Sequence, residues 1–543
     1  MLIIIGLLVQ CSTAWAAPEL DSEISAVQLQ IEQLLNISDA EVAGDTIYLQ
    51  DLLREVYAAN AYAPLWTSIE RLDELRTLLL DSSSHGLQPR DYHLRAIDVL
   101  VQQTRIAPSP ANRAALDVLL TDSLMLYGHH RSLGKVKAQD LDPNINFRRE
   151  ALKSYPSVEA VRHAVIFENL AAFIESIAPT YDYYEILRVQ LRRYRQLQEQ
   201  GGWPNVPAGP TLHQGDRGGR VALLRQRLLI EGELFTPEIT DTEFFDSQLE
   251  QAVRSFQVLY GLDSDGVAGK KTIAAMNVPV LTRINQLRLS LERLRWVSQE
   301  VNDEFIAVNI AGFRLSYVRN QKVVWTTRIM VGQPYRKTPI FRGDITYIEF
   351  NPTWTIPPTI LRNDTLPAIK KDPGYLAAKN IAVLDASGRR LNPDDIDWNS
   401  FGNSIPYTLR QDPGPKNALG RMKFIFPNAH FVFMHDTPNQ APFNLPERAF
   451  SSGCIRVENA FELAELVLQD FSDFTPMQMQ AVLDSGRTQR VVLSKPTPVL
   501  ILYLTAALDS SGKAKFYRDV YGRDPAELMA LDGLVKIDLP GSD

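Results

Sequence analysis

Phe305-Ile306-Ala307-Val308-Asn309-Ile310, followed by Arg314-Leu315-Ser316-Tyr317-Val318 and Val323-Val324-Trp325-Thr326-Thr327-Arg328-Ile329-Met330-Val331, is where the periodicity of this chain changes. Upstream, apolar residues recur at spacings of three and four. Here the period is two and β-branched and aromatic residues dominate, which suits strands rather than helices. Asn320-Gln321 falls between the second and third runs and reads as a tight turn. Further strand signals lie at 345–350, 424–426, 431–435 and 491–493, with helical patterns at 366–371, 460–471 and 477–484. Residues 303–543 therefore read as a mainly β domain, a sandwich or open barrel with attached helices. Between about 352 and 420 the strands are interrupted by a stretch rich in Pro, Asp, Asn and Gly, which suits a mobile flap over a site.

Moving toward the N-terminus, residues 283–302 read as a linking helix with Ile284, Leu287, Leu291 and Leu294 on one face. Ahead of it, 211–278 reads as a small three-helix module. Gly215-Asp216-Arg217-Gly218-Gly219-Arg220 leads into one helix, Phe245-Asp246-Ser247 opens a second, and Thr272 opens a third after a glycine-rich turn. Leu224, Leu228, Val253 and Phe256 are its expected core. The breaker cluster Gly201-Gly202-Trp203-Pro204 to Pro207-Ala208-Gly209-Pro210 separates this module from 17–200, a helical scaffold. His85, His93, His129, His130 and His163 are scattered through the scaffold without catalytic spacing and read as surface or cap histidines. The fold class is thus multidomain, mainly α and then mainly β.

The length of 543 residues fits three to four domains at roughly 150 residues each. Lys plus Arg total 56 against 64 Asp plus Glu, for a net charge of −8 with no basic block, which makes nucleic acid an unfavourable partner. Leu2 to Val9 is an apolar run ending in Ala14-Trp15-Ala16, so residues 1–16 read as an export signal. With that segment removed, Cys454 is the one remaining thiol and has no disulfide partner. A lone thiol in an oxidising compartment is either buried and inert or a nucleophile.

The surrounding residues favour the nucleophile. Ser451-Ser452-Gly453-Cys454-Ile455-Arg456 sets the thiol directly after a glycine. Nineteen residues earlier, His430-Phe431-Val432-Phe433-Met434-His435-Asp436 reads as an alternating strand with Phe431, Phe433 and His435 on one face. A thiolate is the reactive form, and a neighbouring imidazole can take its proton and later return it to a leaving amine. The second imidazole nitrogen needs an acceptor, and either the backbone or the carboxylate of Asp436 could serve. The Gly453 and Cys454 amides could form an oxyanion hole. Arg456 would bind a substrate carboxylate or pair with a structural acid, and Ser451, Ser452 and Phe433 complete the expected substrate contacts. Metal-ligand spacing, a His-Glu-x-x-His, a Gly-x-Ser-x-Gly elbow and a P-loop are all missing from the sequence. No metal or cofactor is expected, and acyl transfer by a thiol remains.

His435-Asp436-Thr437-Pro438 with Ser451-Ser452-Gly453-Cys454-Ile455-Arg456 resembles the active-site signature of the L,D-transpeptidase (YkuD-type) family. Val331-Gly332-Gln333-Pro334, Phe350-Asn351-Pro352-Thr353-Trp354, Pro357-Pro358 and the stretch 414–426 resemble its large periplasmic subgroup, as do the scaffold and the module, which resembles a peptidoglycan-binding domain. Many members carry His where this chain has Ser452. The resemblance implies a periplasmic enzyme whose thiol attacks the L-centre to D-Ala bond of a donor stem tetrapeptide. D-Ala leaves, and the acyl group passes to a diaminopimelate amine on an acceptor stem, giving a 3→3 cross-link. Water as acceptor would make it an L,D-carboxypeptidase, and a protein lysine would make it a wall-tethering enzyme. A non-catalytic wall-binding scaffold is the reading from another class. Peptidoglycan stems are the implied partners, with cell-wall synthesis proteins as candidates.

Overall fold

In the computed structural model, residues 17–148, 158–166, 169–234, 241–301, 303–469 and 474–536 are described. The export-signal reading of 1–16 lies outside them. The N-terminal part is helical, as its periodicity predicts, with α1 (Pro110–Leu133) buried along most of its length and α2 (Asp182–Glu199) burying Tyr184, Leu187, Leu191 and Tyr194. The module follows with α3 (Gly219–Glu231), α4 (Ser247–Leu259) and α5 (Lys270–Met276). Its expected core residues Leu224, Leu228, Val253 and Phe256 are fully buried. Each such side chain contributes roughly 1.5–3 kcal/mol relative to exposure.

Four of the scaffold histidines depart from the surface reading. His85, His93, His129 and His130 are buried, and His163 alone of the five is exposed. His85 Nε2 accepts from both Arg131 and Arg188 at 2.9 Å. His93 bonds Asp45 at 3.0 Å and Asp122 at 2.9 Å. Burial opposes its charge, but those two carboxylates outweigh it and hold the imidazolium with a pKa near 9. Sequence spacing missed this because the partners lie dozens of residues away.

The linking helix, α6 (Val280–Trp296), is likewise more than a bridge. Its apolar stripe is buried, but so are Arg283, Arg288, Glu292, Arg293 and Arg295 on its other faces. Arg295 donates to the His85 carbonyl and to Tyr184 Oη, both at 2.9 Å, and Glu292 accepts from the Val136 amide. On the opposite side Arg293 pairs with Asp524 at 2.7 Å and Glu527 at 2.8 Å, both in α7 (Asp524–Asp532). The helix is polar on those faces because it is enclosed by scaffold and C-terminal segment; Arg288, Glu292, Arg293 and Arg295 are ion-paired there, while Arg283 donates to Gln286 and to the Ala275 carbonyl.

Nine strands form the C-terminal sheet: β1 (Glu304–Asn309), β2 (Arg314–Arg319), β3 (Lys322–Gly332), β4 (Phe341–Phe350), β5 (Met422–Ile425), β6 (Met434–His435), β7 (Ala449–Ser451), β8 (Ile455–Val457) and β9 (Gln489–Leu502). Their order is β7-β3-β8-β6-β5-β4-β9-β1-β2, and β2 also pairs with β3, so the ladder closes on itself. Asn320 and Gln321 take φ of 50° and 60°, the left-handed turn that joins β2 to β3. Ile306, Val308, Leu315, Ile329, Ile348, Phe424, Met434 and Ile455 fill the interior. The expected strand over 431–435 shortens to β6. Phe431 sits at φ 55° and is exposed, because the Asn428 side chain binds the amides of His430 and Val432 and holds this stretch as a loop.

The 352–420 interruption is a folded insertion. Trp354–Thr355, Thr408–Gln411, Ile381–Leu384 and Arg390–Leu391 form a small sheet, and Ile356, Leu366, Ile369, Val383, Trp398 and Leu409 give it a core of its own. Its ends are stitched together, with the Asn351 amide donating to the Arg421 carbonyl at 2.8 Å and Asn417 Nδ2 to the Pro352 carbonyl at 3.0 Å.

Candidate active site

Strand register assembles the site. β6 and β8 run parallel with Met434 opposite Ile455 and His435 opposite Arg456. Met434 and Ile455 point into the core, so His435, Arg456, Phe433 and Cys454 share the outer face. Cys454 is a diagonal neighbour of His435 on that face, a separation that long side chains span. β5 extends the same rung, with Lys423 opposite His435, and β4 sets Glu349 opposite Lys423.

The turn carrying the thiol is held from three directions. Ser451 Oγ donates to the Cys454 carbonyl at 2.5 Å and accepts the Gly453 amide at 3.1 Å. Gly453 adopts φ +120°, which a Cβ would strain. Thr338 Oγ1 donates to the Gly453 carbonyl at 2.8 Å and accepts the Gly332 amide at 2.9 Å. Tyr521 Oη accepts the Thr338 amide at 3.1 Å and donates to the Gly332 carbonyl at 2.6 Å. Gly332 is required there, since a Cβ would lie 2.1 Å from the Arg336 carbonyl oxygen. Sequence reasoning missed Thr338 and Tyr521, which carry no motif signal of their own.

Several expected roles change in this light. The Gly453 amide is already bonded to Ser451 Oγ and so does not point at a substrate oxygen in this conformation. Ser451, buried, ties the turn rather than facing a ligand. Ser452 is exposed and accepts from Arg336 at 2.9 Å, while Arg336 pairs with Asp364 of the insertion at 2.6 Å. The insertion is thus fastened next to the thiol. The acceptor for His435 Nδ1 is the Asp436 carbonyl at 2.5 Å. The Asp436 carboxylate turns away and accepts the Arg421 amide at 2.8 Å.

Electrostatics leave both partners uncharged. Burial, then the Arg456 cation beside it, pushes the His435 pKa down to about 3, against smaller upward pulls from the Asp436 and Leu419 carbonyls. Burial raises the Cys454 thiol, which an amide hydrogen bond from Phe433 and the cations Lys423 and Arg456 counter. A neutral imidazole beside a neutral thiol is a base poised to act on demand rather than a standing ion pair. Sγ makes its hydrogen-bond contact with the Phe431 carbonyl at 3.9 Å, so proton transfer to His435 requires the thiol to turn from that carbonyl toward the imidazole. Phe433 packs on His435 with ring centroids 5.6 Å apart. Arg456 is half-buried against Met330 Sδ at 4.0 Å, and its Nε has no hydrogen-bond partner among the described residues.

Residues 303–501 match the family described as "L,D-transpeptidase catalytic domain" (YkuD), 51–191 a "Scaffold domain" and 217–276 a "Putative peptidoglycan binding domain". A "Putative L,D-transpeptidase" of Haemophilus influenzae is 35% identical over 239 residues, covering 44% of this chain and 48% of its own. The chain therefore spans about half the length of that curated relative. Among solved structures, an L,D-transpeptidase of Xylanimonas cellulosilytica is 16% identical, over 54% of this chain and 98% of that one, with a TM-score of 0.18. A variant of the Enterococcus faecium L,D-transpeptidase is 17% identical, over 37% and 50%, also with a TM-score of 0.18. Superpositions that low carry no weight beside the family matches. The segment past residue 501, including Tyr521, lies beyond the matched catalytic domain yet reaches the thiol-bearing turn. Residues 303–501 thus match the YkuD-type L,D-transpeptidase catalytic domain, set behind segments that match a scaffold domain and a peptidoglycan-binding domain.

Proposed function

We propose that this protein is a periplasmic peptidoglycan L,D-transpeptidase that forms 3→3 cross-links. The observation that carries the reading is the register of β6 on β8, which sets His435 and Cys454 on one face with His435 Nδ1 committed to a carbonyl. The committed Nδ1–H leaves Nε2 with the lone pair, as a base requires. Cys454 Sγ gives its proton to His435 and attacks the carbonyl between the L-centre of the third stem residue and D-Ala. His435 returns the proton to the D-Ala nitrogen, the C–N bond breaks, and a thioester remains on Cys454. A diaminopimelate side-chain amine then attacks the thioester, forming the new amide and restoring the thiol. Arg456, half-buried and without an acidic partner among the described residues, is suited to a substrate carboxylate on the acyl side. Keeping water from the thioester falls in this reading to the insertion, which is fastened beside the thiol through Arg336, bonded to both Asp364 and Ser452.

Mass spectra of muropeptides incubated with the protein test this reading. Dimers joined through two diaminopimelates support it. Tripeptide alone, with D-Ala released and no dimer, would reassign the site as an L,D-carboxypeptidase. No product from either route would favour the wall-binding scaffold.

A further inference from the structure

One rung of the sheet runs Met330, Arg456, His435, Lys423, Glu349, Arg490 across β3, β8, β6, β5, β4 and β9. Adjacent strands lie about 4.8 Å apart, so Arg456 and Lys423 flank His435 at one strand spacing on either side. Glu349, the carboxylate next to Lys423, is taken by Arg490 at 2.8 Å. Among the described residues Lys423 has no carboxylate within ion-pair distance. Its ammonium instead lies 4.2 Å over the ring of Phe433, while Glu349 still acts on it at longer range. A half-buried cation whose neighbouring carboxylate is already ion-paired to Arg490 is under-compensated until something else supplies negative charge. The insertion begins past Asn351 and returns at Arg421, two residues from Lys423, so Lys423 sits at the root of the insertion. Burial lowers its pKa, against upward pulls from Glu349 and then from Cys454.

We propose that Lys423 receives the C-terminal carboxylate of the donor stem, and thereby selects peptides in which a free D-amino-acid carboxylate directly follows the scissile bond. This rests on the transpeptidase reading above. The leaving nitrogen must reach His435, and the carboxylate lies one Cα beyond that nitrogen. The nucleophile and Arg456 both belong to β8, the acyl side of His435. The leaving group therefore falls on the other side, where Lys423 is the rung neighbour. An enclosed ammonium–carboxylate pair would orient the amide for attack and would be lost with the departing amino acid.

The test measures kcat/KM for two soluble donors, the tetrapeptide ending in D-Ala and the same peptide ending in D-alaninamide. The wild-type protein should prefer the acid by about 10- to 100-fold, the worth of one charge-assisted hydrogen bond. Lys423→Met keeps the stem that packs on Phe433 and removes the charge. It should lower kcat/KM for the acid by the same factor, mainly through KM, and leave the amide nearly unchanged. Lys423→Arg should restore part of the preference. Iodoacetamide alkylation of Cys454 checks that each variant keeps its folded site. The proposal is overturned if Lys423→Met slows both donors equally, or if the acid preference survives the substitution. Should the wild type turn over neither donor while Cys454 alkylates normally, the reaction assignment itself falls and takes the proposal with it.

Discussion

Lowering the pH from 7.0 to 5.0 should leave kcat/KM for D-Ala release almost unchanged, which separates this site from one built on an ordinary histidine. The base is His435, and its neutral form is required. An imidazole at the usual value of about 6.5 would be roughly three-quarters neutral at pH 7.0 and about 3% neutral at pH 5.0, a loss of roughly 25-fold. With the pKa held at about 3 by burial and by Arg456, His435 is about 99% neutral at pH 5.0. The acid limb should therefore appear only as the pH falls toward 3. The sign follows from the direction of the shift: a depressed pKa keeps the base present above it and loses it on acidification through it. The same shift costs folding stability as the pH drops below about 6.5, where the unfolded histidine takes up a proton that the buried imidazole does not bind. The assay is release of D-Ala from a soluble tetrapeptide between pH 4 and 8, with Arg456→Met run in parallel. Removing that cation should move the limb upward toward the ordinary value. A wild-type limb with its midpoint near 6 to 6.5 would refute the electrostatic account of the site.

Ser451→Ala should cost about 1–3 kcal/mol in chemical denaturation, since it strands the buried Gly453 amide and Cys454 carbonyl, and should slow turnover through a loosened turn. A carbapenem should form a single covalent adduct on the Cys454 peptide, detected by mass spectrometry, and none on Cys454→Ser protein treated identically. Deleting 211–276 should weaken sedimentation with sacculi and also lower Tm. Lys513 pairs with Glu233 at 2.9 Å, and the Arg283 guanidinium is wedged 4.6 Å from the Tyr260 ring and 5.0 Å from that of Phe516, so the module is docked rather than tethered. An unchanged Tm would argue that this contact contributes nothing.

The period-two runs from Phe305 to Val331, the amphipathic helices of the scaffold and the core of the small module were all legible in the sequence, because each depends on neighbours within a few residues. The lone thiol and the strand-end imidazole were singled out from the sequence as well, because residue types restrict the chemistry, and the register of β6 on β8 sets them on neighbouring strands. What escaped is non-local. The loop at Phe431 follows from the Asn428 side chain, and the buried charges of α6 and of His93 make sense only beside partners far along the chain. Lys423 joins the site because β5 happens to pair with β6 in that register, and Thr338 and Tyr521 because separate segments converge under the Gly453 turn. The direction of the Asp436 carboxylate and the occupancy of the Gly453 amide were equally out of reach. Periodicity and motifs reside in local sequence. Strand register, burial and the pKa values they set arise only when distant segments pack and exclude water, and for that the tertiary structure was needed.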